Sequence, residues 1–186
     1  EIARAVQGMP GFSLPGGVEP GMEALSTYPI DSITYCNGTH VAEIEVDIET
    51  GSVSILKYTI VHDSGRLINP MIVDGQVTGA TAHGIGMALY ERMPFGDDGQ
   101  PLITTLADYL MPAAPEIPNF DIHHMESPAP GNPLGAKGAG EGGLIPTPAA
   151  IAAAVEDALS PFGIKITDIP ILPERLVGMI AGRRAD

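Results

Sequence analysis

The chain has 186 residues, 44% of them hydrophobic, and so is long and apolar enough to bury a core rather than remain disordered. Its formal net charge of −14 excludes a protein that grips the nucleic-acid backbone or an anionic membrane surface. Cys36 is the only cysteine, which excludes an internal disulfide and any thiolate-rich zinc or iron–sulfur site within the chain, and fits a reducing cytoplasm.

No apolar run approaches the roughly 20 residues of a membrane span, and there is no signal-peptide pattern. The first residue is Glu1 rather than Met, as expected of a piece of something longer. Breakers crowd the beginning: Met9-Pro10-Gly11, Pro15-Gly16-Gly17 and Pro20-Gly21. A segment this rich in turns does not build its own core. We expect an extended arm over residues 1–40 and the folded part over 41–186.

Residues 41–48 predict a strand, with Ile44, Val46 and Ile48 on one face and Glu43, Glu45 and Asp47 on the other. Glu49-Thr50-Gly51-Ser52 predicts a turn, and residues 53–61 the returning strand of a hairpin. Asn69-Pro70 then supplies an N-cap and a first-turn proline. In the helix expected over 71–90, Gly75, Gly79, Ala82 and Gly86 follow one another at offsets of four, three and four and trace one bare face. Each such glycine costs up to about 1 kcal/mol against alanine. Either another backbone or a flat ligand accounts for a face of this kind. Gln76 lies beside it, and its amide offers donors and an acceptor suited to the edge of a heterocycle.

Phe95-Gly96-Asp97-Asp98-Gly99-Gln100 predicts a second hairpin turn, and residues 106–110 and 120–125 short strands or irregular segments. Prolines 128, 130 and 133 hold the next stretch extended. It leads to Gly135-Ala136-Lys137-Gly138-Ala139-Gly140-Glu141-Gly142-Gly143, one carboxylate in a run of glycines. Thr147 is the expected N-cap and Pro148 the first residue of a helix over 148–159. The acid would thus face the free N–H groups of a helix entrance. A last short helix is expected over 173–181, ending near Gly182 with a frayed tail. There is no internal repeat, and the whole reads as one α+β unit, antiparallel hairpins packed with a few helices.

The chemistry narrows by elimination. The five histidines form no zinc pattern, and no Gly-x-Ser-x-Gly elbow, phosphate loop or clear dinucleotide fingerprint is present. Glu141 remains. Shielded from water it would act as a general base near neutral pH, and a nearby helix N-terminus would pull its affinity for a proton the other way.

The segment from Gly135 to Glu141 resembles the Gly-x-Gly-Glu active-site stretch of the molybdenum hydroxylases, the family of xanthine dehydrogenase, aldehyde oxidase and aerobic carbon monoxide dehydrogenase. Ile68-Asn69-Pro70, Asp74-Gly75-Gln76-Val77-Thr78-Gly79, His83-Gly84-Ile85-Gly86 and Asp168-Ile169-Pro170 to Pro173-Glu174-Arg175-Leu176 also resemble that family, in its order. The resemblance implies the C-terminal part of a molybdopterin-binding large subunit. It implies Glu141 as general base, with Gln76, Gly79 and the backbone of Lys137, Gly138, Ala139 and Gly140 along molybdopterin, usually the cytosine dinucleotide form in bacteria. No residue of this chain is implied as a metal ligand. The resemblance further implies electrons leaving through two [2Fe–2S] centres to FAD, both carried by partner subunits or domains. It implies a small substrate such as an aldehyde or N-heteroaromatic. Where His83 stands, family members often have glutamine. A non-catalytic assembly module that kept the fold is the alternative.

Overall fold

A computed structural model describes residues 6–7, 14, 17–29 and 33–184. The chain divides into two units, Glu1–Asp31 and Ser32–Asp186. In the first, the Gly21 N–H donates to the Val6 carbonyl at 2.8 Å, and residues 17–29 form neither helix nor strand. The breakers Met9-Pro10-Gly11 and Pro15-Gly16 lie outside the described residues.

The second unit is α+β. Its elements run β1 (Asn37–Val46), β2 (Val53–Asp63), α1 (Pro70–Leu89), β3 (Phe120–Met125), α2 (Thr147–Ala158) and α3 (Pro173–Arg184), with single 3-10 turns at Ala114–Glu116 and Ser160–Phe162. β1 and β2 form the expected hairpin, and β1 begins early enough to take in Asn37 to His40 from the segment read as an arm. Along β1 the even-numbered residues from His40 to Val46 are half-buried and the odd ones exposed, as the alternation predicts. The turn is set by Asp47, whose Oδ1 accepts the N–H groups of Glu49 (2.8 Å) and Thr50 (3.2 Å), and by Gly51 at a φ of 75°. A bulge shifts the register between Glu43, opposite Lys57, and Ile44, opposite Ile55. The extra residue, Leu56, is left exposed.

β3 lies parallel to β2, with Ile122 beside Ile60 and His124 beside His62, so the sheet order is β1-β2-β3. Of the two short segments expected to be strand or irregular, only Phe120–Met125 is a strand. The second expected hairpin is a turn closed by a single bridge, Phe95 to Pro101.

α1 starts as predicted: Asn69 Oδ1 accepts the Ile72 N–H at 3.3 Å, and Pro70 takes the first helical position. Two expectations about the later helices need correcting. Thr147 is not an N-cap but the first residue of α2, fully buried, because its hydroxyl is drawn inward to the Gly143 carbonyl at 2.6 Å. α3 does not stop near Gly182 but continues to Arg184; residues 185 and 186 lie outside the described residues.

The core joins all these layers. Tyr58 and Ile60 of β2, Val77, Ile85 and Ala88 of α1, Ile151 and Val155 of α2, and Leu176 and Ile180 of α3 are buried in one cluster. Each large apolar side chain contributes about 1.5–3 kcal/mol by leaving water. α1 and α2 approach closely at Gly84, where a Cβ would stand 2.5 Å from the Thr147 Cβ. The glycine loop lies on both the end of β2, at His62, and the middle of α1, at Val77 and Thr81.

Candidate functional site

The loop carrying Glu141 is anchored at its stem by the last residue of β2. Asp63 Oδ1 accepts the N–H groups of Gly65 (2.8 Å) and Ser127 (3.2 Å) and pairs with Lys137 Nζ at 3.2 Å. Burial pushes the Asp63 carboxyl up, but hydrogen bonds from Ser127, Gly65 and Lys137 outweigh it and hold the group well below the usual carboxylate range. It is therefore an anion, buried and neutralised by a largely buried ammonium. Backbone bonds complete the stem: Lys137 N–H to the Ser64 carbonyl (2.7 Å) and Arg66 N–H to the Gly135 carbonyl (3.0 Å).

Beyond Glu141 the loop presses onto two different supports. A Cβ on Gly142 would lie 2.2 Å from His62 Cε1. A Cβ on Gly143 would lie 2.5 Å from the Val77 carbonyl oxygen and 2.8 Å from Thr81 Oγ1. Neither glycine has a positive φ, so both are required by close approach and not by backbone conformation. Gly143 is also held from the sheet. Thr147 donates its hydroxyl to the Gly143 carbonyl, so it accepts from Tyr58 Oη (3.2 Å), whose own oxygen then accepts from His40 Nδ1–H (3.0 Å). Burial pushes the Tyr58 phenol up to about 12 and keeps it a donor. Burial first, then the proximity of His62, where two protonated rings would repel, lowers His40 to about 4 and keeps its ring neutral.

These contacts place the predicted site residues. Glu141 is exposed and stands two residues from the contact with Val77, at most about 7 Å of backbone. Gln76 is the residue preceding Val77 on α1, and it is exposed. Gly79 and Gly75 are exposed with no atom within 4 Å of where a Cβ would be, and the same holds for Gly138 and Gly140. Ala139 is half-buried between them. The bare face of α1 is thus open at its first half. At its second half it is closed, since a Cβ on Gly86 would meet Glu91 Oε1 at 2.2 Å. Lys137 belongs to the loop only through its backbone, because its side chain is turned down to Asp63.

The helix entrance does not follow the acid directly: Leu144 and Ile145 N–H donate to the Glu141 carbonyl at 3.0 and 3.2 Å, and α2 begins only at Thr147. A run of turns, not a helix end, follows the acid. The supporting residues His40, Tyr58, His62, Asp63 and Thr81 were not singled out as site residues in the sequence. Two histidines on the paired strands were visible there, but nothing in one sequence shows which loop they sit under.

An open face with an amide lies beside a loop-borne carboxylate, an arrangement with room for a flat ligand. Residues 10–118 match the molybdopterin cofactor-binding domain. The chain belongs to this family, the cofactor-binding part of the molybdenum hydroxylases. It is 41% identical to the 6-hydroxypseudooxynicotine dehydrogenase complex subunit gamma of Paenarthrobacter nicotinovorans, over 88% of this chain and 21% of that protein. It is 38% identical to the carbon monoxide dehydrogenase large chain of Hydrogenophaga pseudoflava, over 84% of this chain and 19% of that one. Its structure resembles quinoline 2-oxidoreductase of Pseudomonas putida 86, with a TM-score of 0.84 and 41% identity over 90% of this chain and 21% of that chain. The chain spans about a fifth of the length of these relatives.

Proposed function

We propose that this chain is a segment of a molybdenum hydroxylase large subunit, that molybdopterin lies along the open half of α1 and the glycine loop, and that Glu141 is the general base. The observation that carries the reading is the seating of Gly143 on the Val77 carbonyl. It brings an exposed acid to the turn of α1 that bears Gln76 and the uncovered Gly79. The residues present fit the cofactor. Gly75, Gly79, Gly138 and Gly140 leave space that a side chain would fill, and Gln76 offers an amide to a ring edge. A module kept only for assembly would cover that face with its own chain, and among the described residues nothing covers Gly75 or Gly79.

When bound, the molybdenum centre supplies the redox chemistry. This chain's part is proton handling and placement. The Glu141 carboxylate accepts a proton from the reacting group, the Gln76 amide orients the pterin edge, and the backbone of Lys137, Gly138, Ala139 and Gly140 lines the site. The Lys137 side chain contributes from below, through Asp63. The substrate is a small aldehyde, N-heteroaromatic or similar molecule. The cofactor is the cytosine dinucleotide form, [2Fe–2S] and FAD reside on partner subunits or domains, and the assembly is cytoplasmic.

Replacing Glu141 with glutamine in the assembled enzyme tests the base assignment. Loss of a general base lowers turnover by about 100-fold or more, with molybdenum content unchanged. Near-normal turnover at full molybdenum content refutes the assignment.

A further inference from the structure

We infer that His62 is a positioning residue for Glu141: its imidazole is the floor that sets the height of the glycine loop above the sheet. The inference rests on the base role proposed for Glu141.

His62 is 1% exposed, and among the described residues neither of its ring nitrogens has a hydrogen-bond partner. A buried imidazole with both nitrogens unpaired is poorly suited to a purely packing role, since a hydrocarbon of similar size avoids the desolvation cost. Its ring is held edge-to-face against His124 of β3, centroids 6.3 Å apart. His124 is itself fixed by Nε2 to Asp74 Oδ1 of α1 at 2.6 Å. The strand pairing that sets His62 beside His124 therefore orients the free edge of the His62 ring. That edge faces the loop: a Cβ at position 142 would lie 2.2 Å from Cε1 and 3.0 Å from Nδ1, with Cys36 Sγ at 3.2 Å. Burial, then the neighbouring His124, hold the ring neutral, so it acts by shape and not by charge.

The residue after the acid stands on this ring, and the next stands on the Val77 carbonyl. Any helix supplies a carbonyl at that place. Of the side chains that a Cβ at the two glycines would meet, the imidazole approaches most closely, at 2.2 Å against 2.8 Å for Thr81 Oγ1 and 3.2 Å for Cys36 Sγ. Remove it, and the loop next to Glu141 can settle toward the sheet. Add a methyl group to Gly142, and the loop must rise.

The test uses the assembled, molybdenum-loaded enzyme with His62→Ala, Gly142→Ala and the double variant. Each is measured for kcat per bound molybdenum, KM and thermal midpoint. Each single change is expected to lower kcat by about 10- to 100-fold, the cost of moving a catalytic group by about an ångström, and to leave KM unchanged. In the double variant the added methyl occupies space vacated by the ring. Its thermal midpoint and kcat are then expected to exceed those of Gly142→Ala, a coupling that independent sites do not show. His62→Gln, which refills much of the space, is expected to retain more kcat than His62→Ala. Unchanged kcat in His62→Ala overturns the inference, as do losses that simply add in the double variant. Glu141→Gln, run in parallel, separates the two levels. An inactive Glu141→Gln beside an unaffected His62→Ala overturns the floor and leaves the base, whereas an active Glu141→Gln overturns the base itself.

Discussion

Gly143→Ala is the substitution whose effect the geometry specifies most closely. The new Cβ would stand 2.5 Å from the Val77 carbonyl oxygen, 2.8 Å from Thr81 Oγ1 and 3.0 Å from the Ala80 Cβ. Thr81 can rotate, but the carbonyl belongs to the backbone of a 20-residue helix whose next turns are in the core. The loop must yield, and reaching ordinary contact at 3.4 Å takes about 0.9 Å of movement. Its freedom to move is small, because Thr147 holds the Gly143 carbonyl at 2.6 Å. Overpacking of this kind costs about 1–3 kcal/mol. Glu141, two residues away, moves with the loop, and misplacing a reacting group by about 1 Å lowers a rate by about 100-fold. In the assembled enzyme we therefore expect a lower thermal midpoint and a kcat reduced by one to two orders of magnitude, with molybdenum content retained. Turnover and KM per bound molybdenum are the assay. An alanine variant with wild-type kcat refutes the reasoning, for it would mean that the loop's seat on α1 does not place the acid.

The open half of α1 predicts two effects of opposite sign. Gly79→Ala removes a glycine from a helix interior and is expected to stabilise the fold by up to about 1 kcal/mol, while filling space assigned to the cofactor. Thermal unfolding should rise and molybdenum and pterin content fall, and a variant that loads the cofactor normally contradicts the placement. The buried histidines predict the acid limb of stability. His40 titrates at about 4 in the fold against 6.5 unfolded, and His62 is also lowered, so below the unfolded value the unfolded chain binds more protons. Stability is full above about pH 6.5 and is lost as pH falls toward about 4, His40 alone accounting for up to about 3 kcal/mol. A thermal midpoint that stays flat between those values contradicts the burial of neutral rings.

Local chemistry was legible in the sequence wherever one element decided it. The alternation of Ile44 and Val46 with Glu43 and Glu45 specifies a half-buried strand. Asn69-Pro70 specifies the start of α1, because a cap needs only its own next three residues. The glycines around Glu141 were legible as a place of close approach, although the sequence does not say what approaches. That depends on contacts between distant segments: His62 lies 80 positions from Gly142, as the numbering shows. Phe120–Met125 sits between prolines, and its parallel pairing with β2 comes from the tertiary fold and not from a turn. Thr147 has the chemistry of a cap, but its hydroxyl finds the Gly143 carbonyl and Tyr58 instead, and tertiary bonds override the local preference. For Lys137 only the backbone was read along the cofactor; the destination of its ammonium, a buried Asp63 far back in the chain, is set by tertiary contact and was not legible.

An experimental structure of the assembled enzyme with molybdopterin bound would examine the placement of the acid without kinetics. The pterin is expected against Gln76 and Gly79, with the Glu141 carboxylate turned toward the metal centre across the glycine loop. A cofactor seated elsewhere, with that carboxylate directed into bulk water, contradicts the proposed function.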